Sequence, residues 1–325
     1  MEAIQNLQQQ FESYLRQQQF DQPPEELYNP VNYIMQLGGK RLRPVLLLMA
    51  YQLFDSDLEK AMPAAYAVEI FHNFSLVHDD IMDEAPLRRG KPTVHKVYGI
   101  NTGILSGDVM LIYAYKYLIQ QATEPQTVRL LKAFNKVAVE VCEGQQMDMN
   151  FEVQRDVDIE MYLKMIELKT AALIGGSIEI GAILGGASPE DVKNLALFGR
   201  NIGIAFQLQD DILDTFGNPE KFGKKVGGDI AQNKKTFLML KALETADAAT
   251  QLQLTHYLTD GSVAEEEKIR VVTDIFRKLN IPELAASVKE HYRKKAFDHL
   301  AAVKVPAGQK AVLEQLAEQF IEREV

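Results

Sequence analysis

Apolar residues recur along this chain at the three- and four-residue steps of an α-helix almost from end to end, and no stretch keeps two-residue alternation between hairpin turns. The pattern predicts an all-α protein. An amphipathic first helix spans about residues 1–18 and stops ahead of Pro23 and Pro24, because proline cannot continue a helix interior. A second covers about 25–37 and ends at Gly38 and Gly39, after which Pro44 suits the first turn of the next. A long helix is expected over about 58–83, with others over about 101–121, 124–150 and 158–186. Ser188, Pro189 and Asp191 then supply a capping hydroxyl, a first-turn proline and an acid at the third helical position, so another helix starts there and ends near Asp214. Residues 216–228 hold four glycines and a proline with no apolar period, which predicts a mobile loop. Shorter helices follow, broken near Asp260-Gly261, Pro282 and Pro306.

Two of these helices end in the same way. Asp79, Asp80 and Asp83 close an apolar run, and Arg88, Arg89 and Lys91 follow within one loop. Asp210, Asp211 and Asp214 repeat the spacing, followed by Lys224, Lys225 and Lys234. Residues three and four apart are neighbours on a helix, so each trio is expected to form one carboxylate patch. Such a patch repels itself unless a cation neutralises it, and hard oxygen donors suit Mg²⁺ or Ca²⁺. Mg²⁺ commonly shares its shell between one or two carboxylates and substrate phosphates, with the arginines as a second clamp on the anion. Two carboxylate helices facing one another would hold a cluster of metals around a diphosphate.

Composition narrows the class. The 325 residues are 46% hydrophobic and 25% charged, ordinary values for a globular protein. A formal net charge of -10 and a pI near 5.2 argue against non-specific nucleic-acid binding, so local cation groups stand out. The one cysteine, Cys142, excludes an intramolecular disulfide or a multi-cysteine metal site and reads as a small buried hydrophobe. The N-terminal stretch has no signal-peptide pattern, and the apolar run 171–187, interrupted by Glu179, falls short of a membrane span. A cytoplasmic chain with one domain over 1–325 is expected.

Other polar groups sit where anions are wanted. Lys40, Arg41 and Arg43 crowd the start of a helix, whose N-terminal end is partly positive. Lys169 lies in ELKTAALIGG between residues expected to be buried, and a buried ammonium needs an anion. Gln145 and Asp148 share a helix face among apolar neighbours, where polar groups need partners. Lys224 and Lys225 sit on the loop expected to close over a bound diphosphate.

GGKRLRP, DDIMD with RRG, LKT, and FQLQDDILD with GKKVGGD and a further lysine occur in that order over about 200 residues, most of the chain. This resembles the trans-isoprenyl diphosphate synthases, similar to farnesyl and geranylgeranyl diphosphate synthases. The resemblance implies antiparallel helices around a deep central cavity, a homodimer, and head-to-tail condensation of isopentenyl diphosphate with the carbocation of an allylic diphosphate. It implies roughly three Mg²⁺ ions per active site. Asp79, Asp83 and Asp210 would ligate the metals, with Asp80, Asp211 and Asp214 supporting. Arg88, Lys169, Lys225 and Lys234 would grip the allylic diphosphate, and Thr170 and Gln207 would line the reacting end. Lys40, Arg43, His72 and Arg89 would hold isopentenyl diphosphate; His78 is left as structural.

At about 1.5 Å per residue, Phe74 lies roughly 7 Å and Phe71 roughly 12 Å deeper along the helix than Asp79. Either ring would floor the product tunnel. A bulky Phe74 beside a small Ser75 resembles synthases of geranylgeranyl diphosphate, with farnesyl diphosphate the runner-up. A class I terpene cyclase would carry a different second metal motif and have no use for GGKRLRP. A non-catalytic partner subunit would not need the intact aspartates and lysines.

Overall fold

A computed structural model describes residues 2–218, 226–259 and 262–321, and these are helical almost throughout. The expected loop over 216–228 lies largely outside them, as do Lys224, Lys225, Asp260 and Gly261. Contacts divide the chain into two compact units: Met1–Ala138 with Leu173–Ala196 and Ala302–Leu313, and Val139–Ala172 with Leu197–Ala301 and Glu314–Val325.

The first unit holds α1 (Glu2–Gln17), α2 (Glu25–Gln36), α3 (Leu42–Gln52), α4 (Met62–Met82), α5 (Val94–Tyr98) and α6 (Ile100–Leu118). It also takes the first half of α7 (Glu124–Val153), all but the first residue of α9 (Ala172–Leu184), and the start of α10 (Pro189–Phe216). Its centre is α4, apolar nearly all round and buried from Met62 to Phe71 without a break. Glycines let its neighbours approach. A Cβ on Gly103 or Gly107 of α6 would meet Ile81 or His78 of α4, and one on Gly181 of α9 would strike the backbone carbonyl of Leu47 in α3. The long helix expected from residue 58 begins instead as a 3₁₀ turn, Leu58–Lys60, with α4 starting at Met62. A two-residue antiparallel ribbon pairs Leu87–Arg88 with Lys91–Pro92, too short to leave a periodic signal.

The second unit contains the rest of α7, then α8 (Ile159–Ile166), most of α10, and the helices between residues 228 and 301, of which the last, Ile281–Ala302, is 22 residues long where only shorter ones were expected. Its core gathers Phe151, Tyr162, Ile166, Leu208, Phe237, Leu254, Val272 and Phe276. The helix expected over 158–186 is interrupted by a π-turn, Glu167–Ala171. Such bulges are frequent at functional sites. Among the described residues no helix is long and apolar enough to cross a membrane.

Cys142 is exposed rather than buried. It lies on the same outward side of α7 as Val139, also exposed, so an apolar residue type misled there about which face is core. Gln145 and Asp148 are likewise half-exposed rather than in the core.

Candidate active site

The last turns of α4 carry Asp79 and Asp80, with Asp83 as its C-cap. The expected single patch of three carboxylates is split. Consecutive helical residues point about 100° apart, and α4 is enclosed on the side that receives Asp80. That residue is 1% exposed and accepts a two-toothed contact from Arg88, whose Nε lies 3.1 Å from both carboxylate oxygens and whose Nη2 lies 2.5 Å from Oδ1. Asp79 is half-buried and Asp83 exposed, one turn apart. Among the described residues no three His, Cys, Asp or Glu side chains form a ready-made metal cage.

The second cluster is divided in the same way. Asp211 is 3% exposed and accepts hydrogen bonds from the Tyr162 hydroxyl and from Gln207 Nε2 at 3.4 Å. Burial pushes its pKa up to about 7 against these donors, and burial together with Asp211 drives the Tyr162 phenol well above its ordinary value. Gln207 in turn accepts from Thr170 Oγ1 at 3.3 Å, so the two residues expected at the reacting end are joined. Asp214 accepts from the backbone N–H of Asp229 at 2.9 Å, and Lys234 Nζ lies 3.4 Å from Asp229 Oδ1. Lys225 lies outside the described residues.

Lys169 is half-buried, its side chain 28% exposed, where a buried ammonium was expected. Its Nζ donates to Asp148 Oδ2 at 2.5 Å. The π-turn displaces Lys169 and Thr170 from regular helical register, and Gly144 of α7 packs directly under it. A Cβ there would collide with the backbone nitrogen of Lys169. Alanine for glycine in a helix interior ordinarily stabilises by about 1 kcal/mol. Gly144→Ala should instead destabilise by about 1–3 kcal/mol, because the obstacle is backbone that cannot turn aside; a chemical-denaturation midpoint checks the sign.

Four residues expected to share one anion are, in part, brought together in the first unit. Arg43 Nη1 lies 3.1 Å from His72 Nε2 on α4. Arg89 donates to the backbone oxygen of Gly38, and its guanidinium lies against Gly39, where a Cβ would crowd it. Lys40, next along, is exposed. The crowding shows in the charges. Burial, then Arg43 and Arg89, push the His72 pKa well below its ordinary 6.5, leaving a neutral ring. Burial, opposed by Glu69 and reinforced by Arg89, brings Arg43 down to about 10.

Because folding lowers the His72 pKa, protons bind the unfolded chain more tightly. The stability tied to His72 is complete above about pH 6.5 and drains as pH falls towards the folded value. His72→Gln keeps an acceptor for Arg43 and should remove that part of the loss in a melting series between about pH 7 and 5.

Phe74 and Phe71 extend along α4 away from Asp79. Their ring centroids are 5.6 Å apart, Phe74 meets the His78 ring at 4.9 Å, and Phe71 meets Phe134 of α7 at 5.1 Å. Ser75 donates to the His72 carbonyl oxygen at 2.8 Å. The sequence reading missed Tyr162, whose partner Asp211 is 49 residues away. It also missed Glu69, although a lone carboxylate inside the apolar run MPAAYAVEIF was a usable signal.

The described residues thus carry two aspartate-ended helices, one in each unit, and a crowded set of fixed cations in the first. Residues 24–275 match the polyprenyl synthetase family. The geranylgeranyl diphosphate synthase of Methanosarcina mazei is 39% identical over 306 residues, 93% of this chain and 91% of that protein. A crystal structure of a geranylgeranyl pyrophosphate synthase superposes with a TM-score of 0.93 at 42% identity, covering 99% of both chains. A geranylgeranyl pyrophosphate synthase from Corynebacterium glutamicum, solved with isoprenyl diphosphate and magnesium, gives 0.83 at 29% identity, covering 99% of this chain and 98% of that one. The chain belongs to the polyprenyl synthetase family and is a prenyltransferase.

Proposed function

We propose that this enzyme elongates allylic diphosphates with isopentenyl diphosphate and releases geranylgeranyl diphosphate. The observation that carries the reading lies on one helix. His72, joined to Arg43, stands seven residues before Asp79, about 10 Å along α4. A cation cluster and a carboxylate pair at that separation suit two diphosphates handled side by side.

Asp79, half-buried, and Asp83, exposed, are hard-oxygen donors one turn apart, the donor set Mg²⁺ takes when phosphates complete its shell. Asp210 is a further metal ligand on this reading, and the ions, about three in all, would supply Lewis-acid stabilisation of the departing diphosphate. Asp80 is paired with Arg88, whose side chain remains 27% exposed and would be open to the anion. Lys169 and Lys234 add positive charge for the allylic diphosphate, and Lys225 would join them. Lys40, Arg43 and Arg89 hold the isopentenyl diphosphate, and neutral His72 orients Arg43 as an acceptor. Preset cations of this kind stabilise charge as it develops without reorganising. The aromatic wall from Phe74 to Phe71 keeps water from the allylic cation.

We also read the enzyme as a homodimer with one catalytic domain per chain, working in the cytoplasm. Leu105, Ile112 and Ile119 of α6 and its C-cap recur every seven residues and are exposed, a helical seam that a second copy would cover. Light scattering of the purified protein tests this.

The test of function is the product profile of the purified chain given Mg²⁺, labelled isopentenyl diphosphate and each of dimethylallyl, geranyl and farnesyl diphosphate. A twenty-carbon product supports the reading. A stop at fifteen carbons assigns a farnesyl diphosphate synthase, and no elongation from any starter assigns a non-catalytic subunit.

A further inference from the structure

We propose that Glu69 is a positioning residue for the isopentenyl diphosphate site and acts through Arg41; the inference rests on the assignment of Lys40 and Arg43 to that site. Glu69 is 2% exposed in the middle of α4. Its Oε1 accepts from Arg41 Nη1 at 2.5 Å and from Asn73 Nδ2 at 3.1 Å. Arg41, 5% exposed, sends its other arm to the backbone oxygen of Met35 at 2.7 Å, and Glu12 lies 3.8 Å from its Nε.

The backbone gives this anchoring a purpose. Gly38, Gly39 and Arg41 all have positive φ, at 77°, 138° and 47°. Two glycines adopt such angles freely, whereas arginine does so against its own Cβ. An unheld turn would relax at Arg41. Glu69 and Met35 hold the guanidinium inward, so the left-handed residue stays; of its neighbours, Lys40 is exposed and Arg43 reaches His72, three residues beyond Glu69 along α4. Gln8 Nε2 steadies the same turn by donating to the Lys40 carbonyl oxygen at 3.0 Å.

The three cations of GGKRLRP therefore divide their work. Arg41 is neutralised inside the fold and makes no claim on substrate, while Lys40 and Arg43 carry the binding charge. Glu69 also counters the burial and the neighbouring Arg89 that act on Arg43, so one carboxylate serves both arginines.

The test uses steady-state kinetics on the full chain with Mg²⁺, varying isopentenyl diphosphate and geranyl diphosphate separately, beside melting curves. Lys40→Ala and Arg43→Ala should each raise KM for isopentenyl diphosphate; if neither does, the site assignment falls and this proposal with it. Glu69→Gln should raise that KM about tenfold, leaving KM for geranyl diphosphate and kcat within about twofold. It should also lower the melting temperature, because a buried guanidinium loses its partner.

The paired variant Glu69→Met with Arg41→Met removes both charges at similar volume and should melt close to the parent. Its KM for isopentenyl diphosphate should stay raised. A KM that recovers together with the melting temperature shows that the pair only stabilises the fold and overturns the proposal. Equal rises in both KM values for Glu69→Gln overturn it as well.

Discussion

Asp79→Ala and Asp210→Ala should each lower condensation by on the order of a thousandfold or more while the helical circular-dichroism signal is unchanged. The two parts of this expectation have separate causes. Asp79 and Asp210 open their aspartate clusters, and neither is the member turned into the core. The inward carboxylates are Asp80 and Asp211, which already have internal partners in Arg88 and Tyr162. Truncating Asp79 therefore leaves the buried contacts standing and removes a donor from the leaving-group site. Asp80→Ala should behave differently, since it strands a half-buried guanidinium and costs stability together with activity. Near-normal turnover in purified Asp79→Ala would remove the metal-site argument.

Phe74→Ala should shift the products from twenty carbons to twenty-five and beyond. The ring is buried against Phe71 and His78, and its removal opens a cavity without removing any charge. Phe71 has no exposed surface and is braced edge-on by Phe134, which itself meets the Tyr115 ring at 4.8 Å. A tunnel extended past Phe74 next meets this second aromatic layer, so lengthening should be limited to a few units. An unchanged product distribution would place the floor elsewhere.

The helical class and most element boundaries were legible in the sequence because they depend on local rules. The start of α10 shows this: Ser188 Oγ accepts from the Asp191 N–H at 3.2 Å and donates to its carboxylate at 2.7 Å, as the capping pattern implied. The aspartate clusters were legible as motifs but not in their orientation. Because α4 is apolar nearly all round, its sequence does not say which of Asp79 and Asp80 faces inward. That choice belongs to Arg88, which reaches Asp80 from the small ribbon eight residues later. The π-turn under Lys169 was equally out of reach, since it depends on Gly144 of another helix meeting its backbone. Cys142 failed for the simplest reason: a residue type that is usually buried sits on an outward face.

Among the described residues, Arg41, Glu84, Arg89, Asn233 and Asn280 are the non-glycines with positive φ. The first four adjoin residues proposed for substrate or metal: Lys40, Asp83, Arg88 and Lys234. A left-handed side-chain residue costs about 1–2 kcal/mol relative to the right-handed form, so backbone strain gathers beside the residues proposed to hold diphosphate and metal. Regions of low local stability open before a fold unravels as a whole. Warming should therefore silence this enzyme some degrees below the temperature at which its helices melt. Isopentenyl diphosphate added beforehand should narrow that interval, which makes thermal inactivation, more than bulk unfolding, the limit on its working range.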